Sequence, residues 1–111
     1  MAAVIIKLAD HYLEWSTISD APTTRAMTLD EFWRYYSDQY GVVGLQGLPS
    51  RMVRVEAKGT SDVDDDSVDD TIDCNRAGAG ETELTRAQLE DFYVRLRGRG
   101  PRPLGTKRGN R

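Results

Sequence analysis

The sequence predicts an α+β domain of order β-β-α-β-α, with two helices packed on one face of a three-stranded sheet and a disordered basic tail behind it. Three observations carry this expectation. Two segments before residue 19 are rich in β-branched and aromatic residues, as strands are. Two capping-box signatures each precede an apolar stripe at helical spacing. A later segment, "RMVRVEAK", alternates apolar and charged residues.

The first two strands are "AVIIKL" (Ala3–Leu8) and "HYLEWSTI" (His11–Ile18), joined by the short Ala9-Asp10 link of a hairpin. Val4, Ile6 and Leu8 share one face of the first; Leu13 and Trp15 share a face of the second. Pro22 then interrupts, because it excludes helix at the residue before it and lacks a ladder donor.

Thr28 and Glu31 stand at capping-box spacing and open a helix. Leu29, Phe32, Trp33, Tyr36 and Tyr40 form its stripe, with Trp33 expected to be buried against the hairpin, and Gly41 supplies a left-handed stop. "VVGLQGLPS" reads as an irregular connection. Arg51–Lys58 reads as the third strand, with Val53, Val55 and Ala57 facing inward. Thr85 and Gln88 open the last helix, whose stripe is Leu89, Phe92, Tyr93 and Leu96. These elements make residues 1–97 one domain containing a flexible acidic loop at 59–82, and leave 98–111 as the disordered basic tail.

Charge is sharply segregated. Residues 1–94 carry 8 basic and 18 acidic side chains, a net of −10, whereas 95–111 carry seven basic side chains and no acid. The solitary Cys74 forbids an intrachain disulfide and fits a reducing, cytoplasmic setting. One Cys and one His exclude a zinc site built from those residue types alone. No apolar run is long enough to span a bilayer, and the first residues lack the pattern of an export signal.

"DVDDDSVDDTID" holds seven aspartates, five of which fall on the oxygen-ligand positions of a twelve-residue calcium loop when Asp62 is set first. Ser67 stands where that loop needs Gly for a sharp turn, Asp73 where it needs the longer Glu, and a strand precedes it in place of a helix. A solvated loop without a metal is the expectation. The tail's Arg97, Arg99, Arg102, Lys107, Arg108 and Arg111 are candidate nucleic-acid contacts, although no aromatic residue is interleaved to stack on bases.

Catalysis is not expected. His11 lies on the opposite strand face from Glu14 and Ser16, and no nucleophile elbow, phosphate-cradling glycine loop or metalloprotease histidine pair occurs. No cofactor is implied. Tyr12, on the strand face opposite Trp15, and Tyr35, off the helix stripe, are candidate protein-contact residues of the kind that anchor interfaces.

The stretch "YLEWSTISDAPTT…MTLDEFWRYYSDQYG", followed by "LPSRMVRVEAKGTSD", resembles small proteins of unknown function encoded by bacteriophages of actinobacteria. The likeness spans roughly residues 4–62 and brings no catalytic residues with it. It implies a phage accessory protein that acts in the host cytoplasm by binding a host or phage protein. Two alternatives stand beside it: association with nucleic acid through the basic tail, and a minor structural, oligomerising or assembly role in the virion.

Overall fold

The structure, a computed structural model, describes residues 3–63 and 68–107. Strands β1 (Ala3–Leu8) and β2 (His11–Ser16) form the expected antiparallel hairpin, with Val4 opposite Trp15, Ile5 opposite Glu14 and Ile6 opposite Leu13. Ala9 and Asp10 both take positive φ, 50° and 60°, so the two-residue link turns with the hand that matches strand twist even without glycine.

The third strand is not the one the alternation predicts. It is the two-residue β3 (Ala21–Pro22), paired with β2 at the sheet edge, where a residue without an N–H is tolerated. Arg51–Lys58 instead belongs to helix α1 (Leu29–Lys58). Two periods compete in "RMVRVEAK". Leu45, Leu48, Met52 and Val55 fall at i, i+3, i+7 and i+10, and Leu48, Met52 and Val55 are buried, whereas Val53 is 70 % exposed. The helical stripe wins because it extends an apolar face that already begins upstream.

The capping box at the start of α1 forms as predicted. Thr28 Oγ1 accepts from the Glu31 N–H at 3.3 Å and Glu31 Oε1 accepts from the Thr28 N–H at 2.9 Å. Gly41 does break the helix, with φ 68° and ψ −161°, a region that essentially only glycine enters. The chain then resumes helical conformation, so the connection expected at 42–50 becomes a second arm. Phe32 and Tyr36 are buried on the first arm, while Trp33 and Tyr40 are half-buried and Leu29 is nearly half-exposed. Left-handed Gly59 caps α1, and residues 59–61 then run along the free edge of β1 through Lys7 N–H to Gly59 O and Ser61 N–H to Ile5 O, both 2.9 Å.

The two predicted helices lie on opposite faces of the sheet. One face presents Ile5, Tyr12 and Glu14 to α1, where the core is completed by Phe32, Tyr36, Leu48, Met52 and Val55. The other presents Ile6, Leu8, Leu13 and Trp15 to the C-terminal third, where Ile72, Leu84, Leu89, Phe92 and Tyr93 close a second core. Both strands carry apolar residues on consecutive positions, so a single covered face would strand Ile5 and Tyr12 in water.

Among the described residues the acidic connection takes up regular, anchored structure. Helix α2 (Val68–Asp73) buries Ile72, and Asn75, fully buried, ties the segment to Leu84. Its Nδ2 donates to Ile72 O at 2.7 Å and Leu84 O at 2.8 Å, and its Oδ1 accepts from the N–H groups of Ala77 and Leu84. Every hydrogen-bonding site of that amide is used, which offsets its burial. Asp64, Asp65, Asp66 and Ser67 lie outside the described residues.

Helix α3 (Arg86–Glu90) starts at the second capping box and continues as a π-helical turn over Asp91–Arg95. Leu89, Phe92 and Tyr93 are buried as the stripe predicts, and Leu96 is half-exposed past the end of the turn. Residues 98–107 are not a free tail. Pro103 O accepts from Ala79 N–H, and Thr106 exchanges both backbone bonds with Glu83, all at 2.8 Å. Gly105 allows this approach, since a β-carbon there would lie 2.0 Å from Glu83 O. Arg108 and Arg111 lie outside the described residues.

Candidate functional site

Burial on both faces of the sheet withdraws the two tyrosines expected to anchor a partner. Tyr12 is 5 % exposed and its hydroxyl donates to Glu56 Oε2 at 2.8 Å, while Glu56 Oε1 accepts from Lys7 Nζ at 2.8 Å. The lysine ammonium first, and then the Tyr12 hydroxyl, hold the Glu56 carboxyl below the usual carboxylate range. Tyr35 is half-buried against the α1 core, and its hydroxyl donates to Glu14 Oε1. Both are joints between α1 and the hairpin. The signal in the sequence was the polar Glu14 among apolar strand residues, which needs donors once the sheet is covered.

Glu14 is 3 % exposed and receives two tyrosine hydroxyls, from Tyr35 and from Tyr40. Burial, and then the hydrogen bond to Glu14, push the Tyr40 phenol up to about 12 and the Tyr35 phenol up more strongly. Gly44 lets the second arm of α1 close over this joint, because a β-carbon there would meet Tyr40 Cβ at 2.3 Å. The arrangement is closed and internally satisfied, which suits a structural role.

What faces outward is the second arm. Val42, Gln46, Pro49 and Val53 stand at i, i+4, i+7 and i+11, flanked by Val43 and Ala57, and all six are exposed. Val42, Val43 and Val53 keep 73 %, 81 % and 70 % of their surface in solvent. No charged residue occurs from Gly41 to Ser50. An uncharged apolar face of this kind on a small domain marks an interaction site more often than a scatter of single exposed residues does. The sequence reading missed it because a segment taken as irregular has no face to assign.

The strap formed by residues 98–107 and the preceding turn carries Arg95, Arg97, Arg99, Arg102 and Lys107, all exposed. The opposite charge gathers around a cleft of about 480 Å³ lined by Trp15, Asp20, Asp62, Asp70, Asp73 and Cys74. Among the described residues no group of three or more His, Cys, Asp or Glu side chains is placed to hold a metal ion, and no helix is long and apolar enough to cross a membrane.

Searches against protein-family models, curated proteins and solved structures return no match to this chain.

Proposed function

We propose that this chain acts by binding another protein through the uncharged face of the second arm of α1. The observation that carries the reading is the exposure of Val42, Val43 and Val53 along the second arm of α1, whose residues 41–50 carry no charge. Burying three valines contributes roughly 1.5–3 kcal/mol each, enough to support a specific contact once a polar rim excludes water. The complementary partner surface is apolar and uncharged, such as the ridge of another helix. The resemblance to phage-encoded proteins points to a host or phage protein met in the bacterial cytoplasm. Binding fits better than catalysis, because the buried Glu14 and Asn75, and Glu56 at the edge of the core, are committed to structural hydrogen bonds.

The test is capture from host lysate, with and without nuclease, using the full chain and the variants Val43→Asp and Val53→Asp. A protein retained after nuclease and at raised salt, and lost with either variant at unchanged Tm, supports the reading. Retention by both variants would place the contact elsewhere. Light scattering in parallel shows whether the partner is a second copy, the outcome that an oligomerising or assembly component requires.

A further inference from the structure

The C-terminal strap carries a second, independent inference. We propose that residues 95–107 are a docking site for the phosphodiester backbone of nucleic acid, read without regard to base sequence. Five cationic side chains are exposed along this segment with no acid among them. Arg95 is held by Asp91 at 2.9 Å, while Arg97, Arg99, Arg102 and Lys107 make no ion pair among the described residues.

The segment is also held in place, which a disordered tail would not be. Gly98 N–H donates to Phe92 O at 2.8 Å and Arg99 N–H to Leu96 O at 3.0 Å. Farther along, Gly105 N–H donates to Thr82 Oγ1 at 2.8 Å beside the Thr106–Glu83 pair. Positive φ at Arg97, Gly98 and Gly100 fixes the turns between successive cations. A fixed array gives up less conformational freedom on binding than a free tail does. Arg25 packs beside Gly98 and adds a guanidinium, itself 3.6 Å from Glu31. The acids beside the strap are Glu31, Asp91 and Glu83. Glu31 pairs with Arg25 and also feels the charge of Arg97, Asp91 pairs with Arg95, and Glu83 meets Thr106 through its backbone. Arg97, Arg99, Arg102 and Lys107 thus keep no direct ion pair among the described residues and can meet an external anion.

The chemistry of those four, three guanidinium groups and the Lys107 ammonium, selects phosphate. Guanidinium groups present a planar fork that matches phosphate oxygens in pairs, and they stay charged at any physiological pH. The strap holds no aromatic residue, so base stacking contributes nothing and recognition stays with the backbone.

The experiment is fluorescence anisotropy of labelled duplex and single-stranded DNA with the full chain across a salt series. Four phosphate contacts predict a slope of log affinity on log salt of about −3.6 for duplex and about −2.8 for a single strand. Between 50 and 200 mM salt that is a loss of roughly 150-fold and roughly 50-fold respectively. Binding by either form supports the proposal and identifies which strand state fits. In the variant R97Q/R99Q/R102Q/K107Q the slope should approach zero, whereas Val53→Asp should leave it unchanged. If the fourfold variant melts early, Arg99→Gln and Arg102→Gln singly should each reduce the slope by about 0.9. No saturable binding at 50 mM salt, a slope indifferent to these substitutions, or competition by polyglutamate equal to that by DNA would overturn the proposal. The last result would assign the strap to acidic proteins.

Discussion

The carboxylate of Glu14 holds the Tyr40 hydroxyl between its two oxygens, 2.7 Å from each, and so joins the middle of β2 to the last turn before the Gly41 break. Tyr35 donates to the same carboxylate from one turn earlier. A buried acid satisfied by two donors tolerates the loss of one better than the loss of both. Tyr40→Phe is expected to cost about 1.5–3 kcal/mol, and Tyr35→Phe with Tyr40→Phe more than the sum of the singles, because the first loss leaves a compensating donor and the second leaves none. Urea unfolding of the two singles and the double measures the coupling; strict additivity would show that the tyrosines act separately.

The same joint makes the fold sensitive to alkali. Tyr40 has its phenol pushed up to about 12 by burial and by Glu14, and Tyr35 shifts in the same direction. In the unfolded chain both ionise near their ordinary value of 10.0. Their raised folded pKa values therefore contribute stability that is fully present below pH 10 and lost as pH rises toward about 12. Unfolding midpoints measured from neutral pH upward should fall in that window, and the fall should shrink in the double Phe variant.

Asn75 gives a sharper test of the segment that the sequence presents as a loop. Asn75→Asp keeps the shape but replaces two donors to Ile72 O and Leu84 O with acceptors, and places a charge in a fully buried site. The expected cost is at least about 3 kcal/mol, enough to unfold much of a marginal domain. Asn75→Asp should lower Tm far more than Asp69→Asn on exposed α2, and equal effects would show that the 74–84 segment is not anchored there.

The strap contributes to stability as well as charge. Truncation after Gly98 removes the Arg99 bond to Leu96 O, the partners of Ala79 N–H and of both Glu83 backbone groups, and the Gly105 bond to Thr82. Five hydrogen bonds at about 0.5–1.5 kcal/mol each, less the entropy regained by freeing the strap, leave a net cost of about 1–3 kcal/mol. Calorimetry should record a Tm lower by roughly 5–15 °C. Gly105→Ala should reproduce most of that loss with every charge retained, because its β-carbon cannot fit against Glu83 O. An unchanged Tm in both would mean that the docked strap contributes nothing to folding.

Local features of this fold are written in local sequence. Thr28 with Glu31 and Thr85 with Gln88 specify helix starts through bonds that span three residues, and both form where predicted. Gly41 specifies a break because no other residue readily takes its φ and ψ. The β1–β2 hairpin follows from two apolar runs and a two-residue link. Which side of an element is covered is another matter, since it depends on what the rest of the chain brings there. Arg51–Lys58 satisfies strand and helix periods alike, and the helical stripe continued from Leu45 and Leu48 prevails because Ile5 and Tyr12 offer it an apolar surface to cover. Covering both sheet faces buries Tyr12, half-buries Tyr35 and turns Val42, Val43 and Val53 outward. The strap is set by backbone bonds between Glu83 and Thr106, 23 residues apart, whose donors and acceptors are the same in every sequence, so that Gly105 permits the approach without naming its partner.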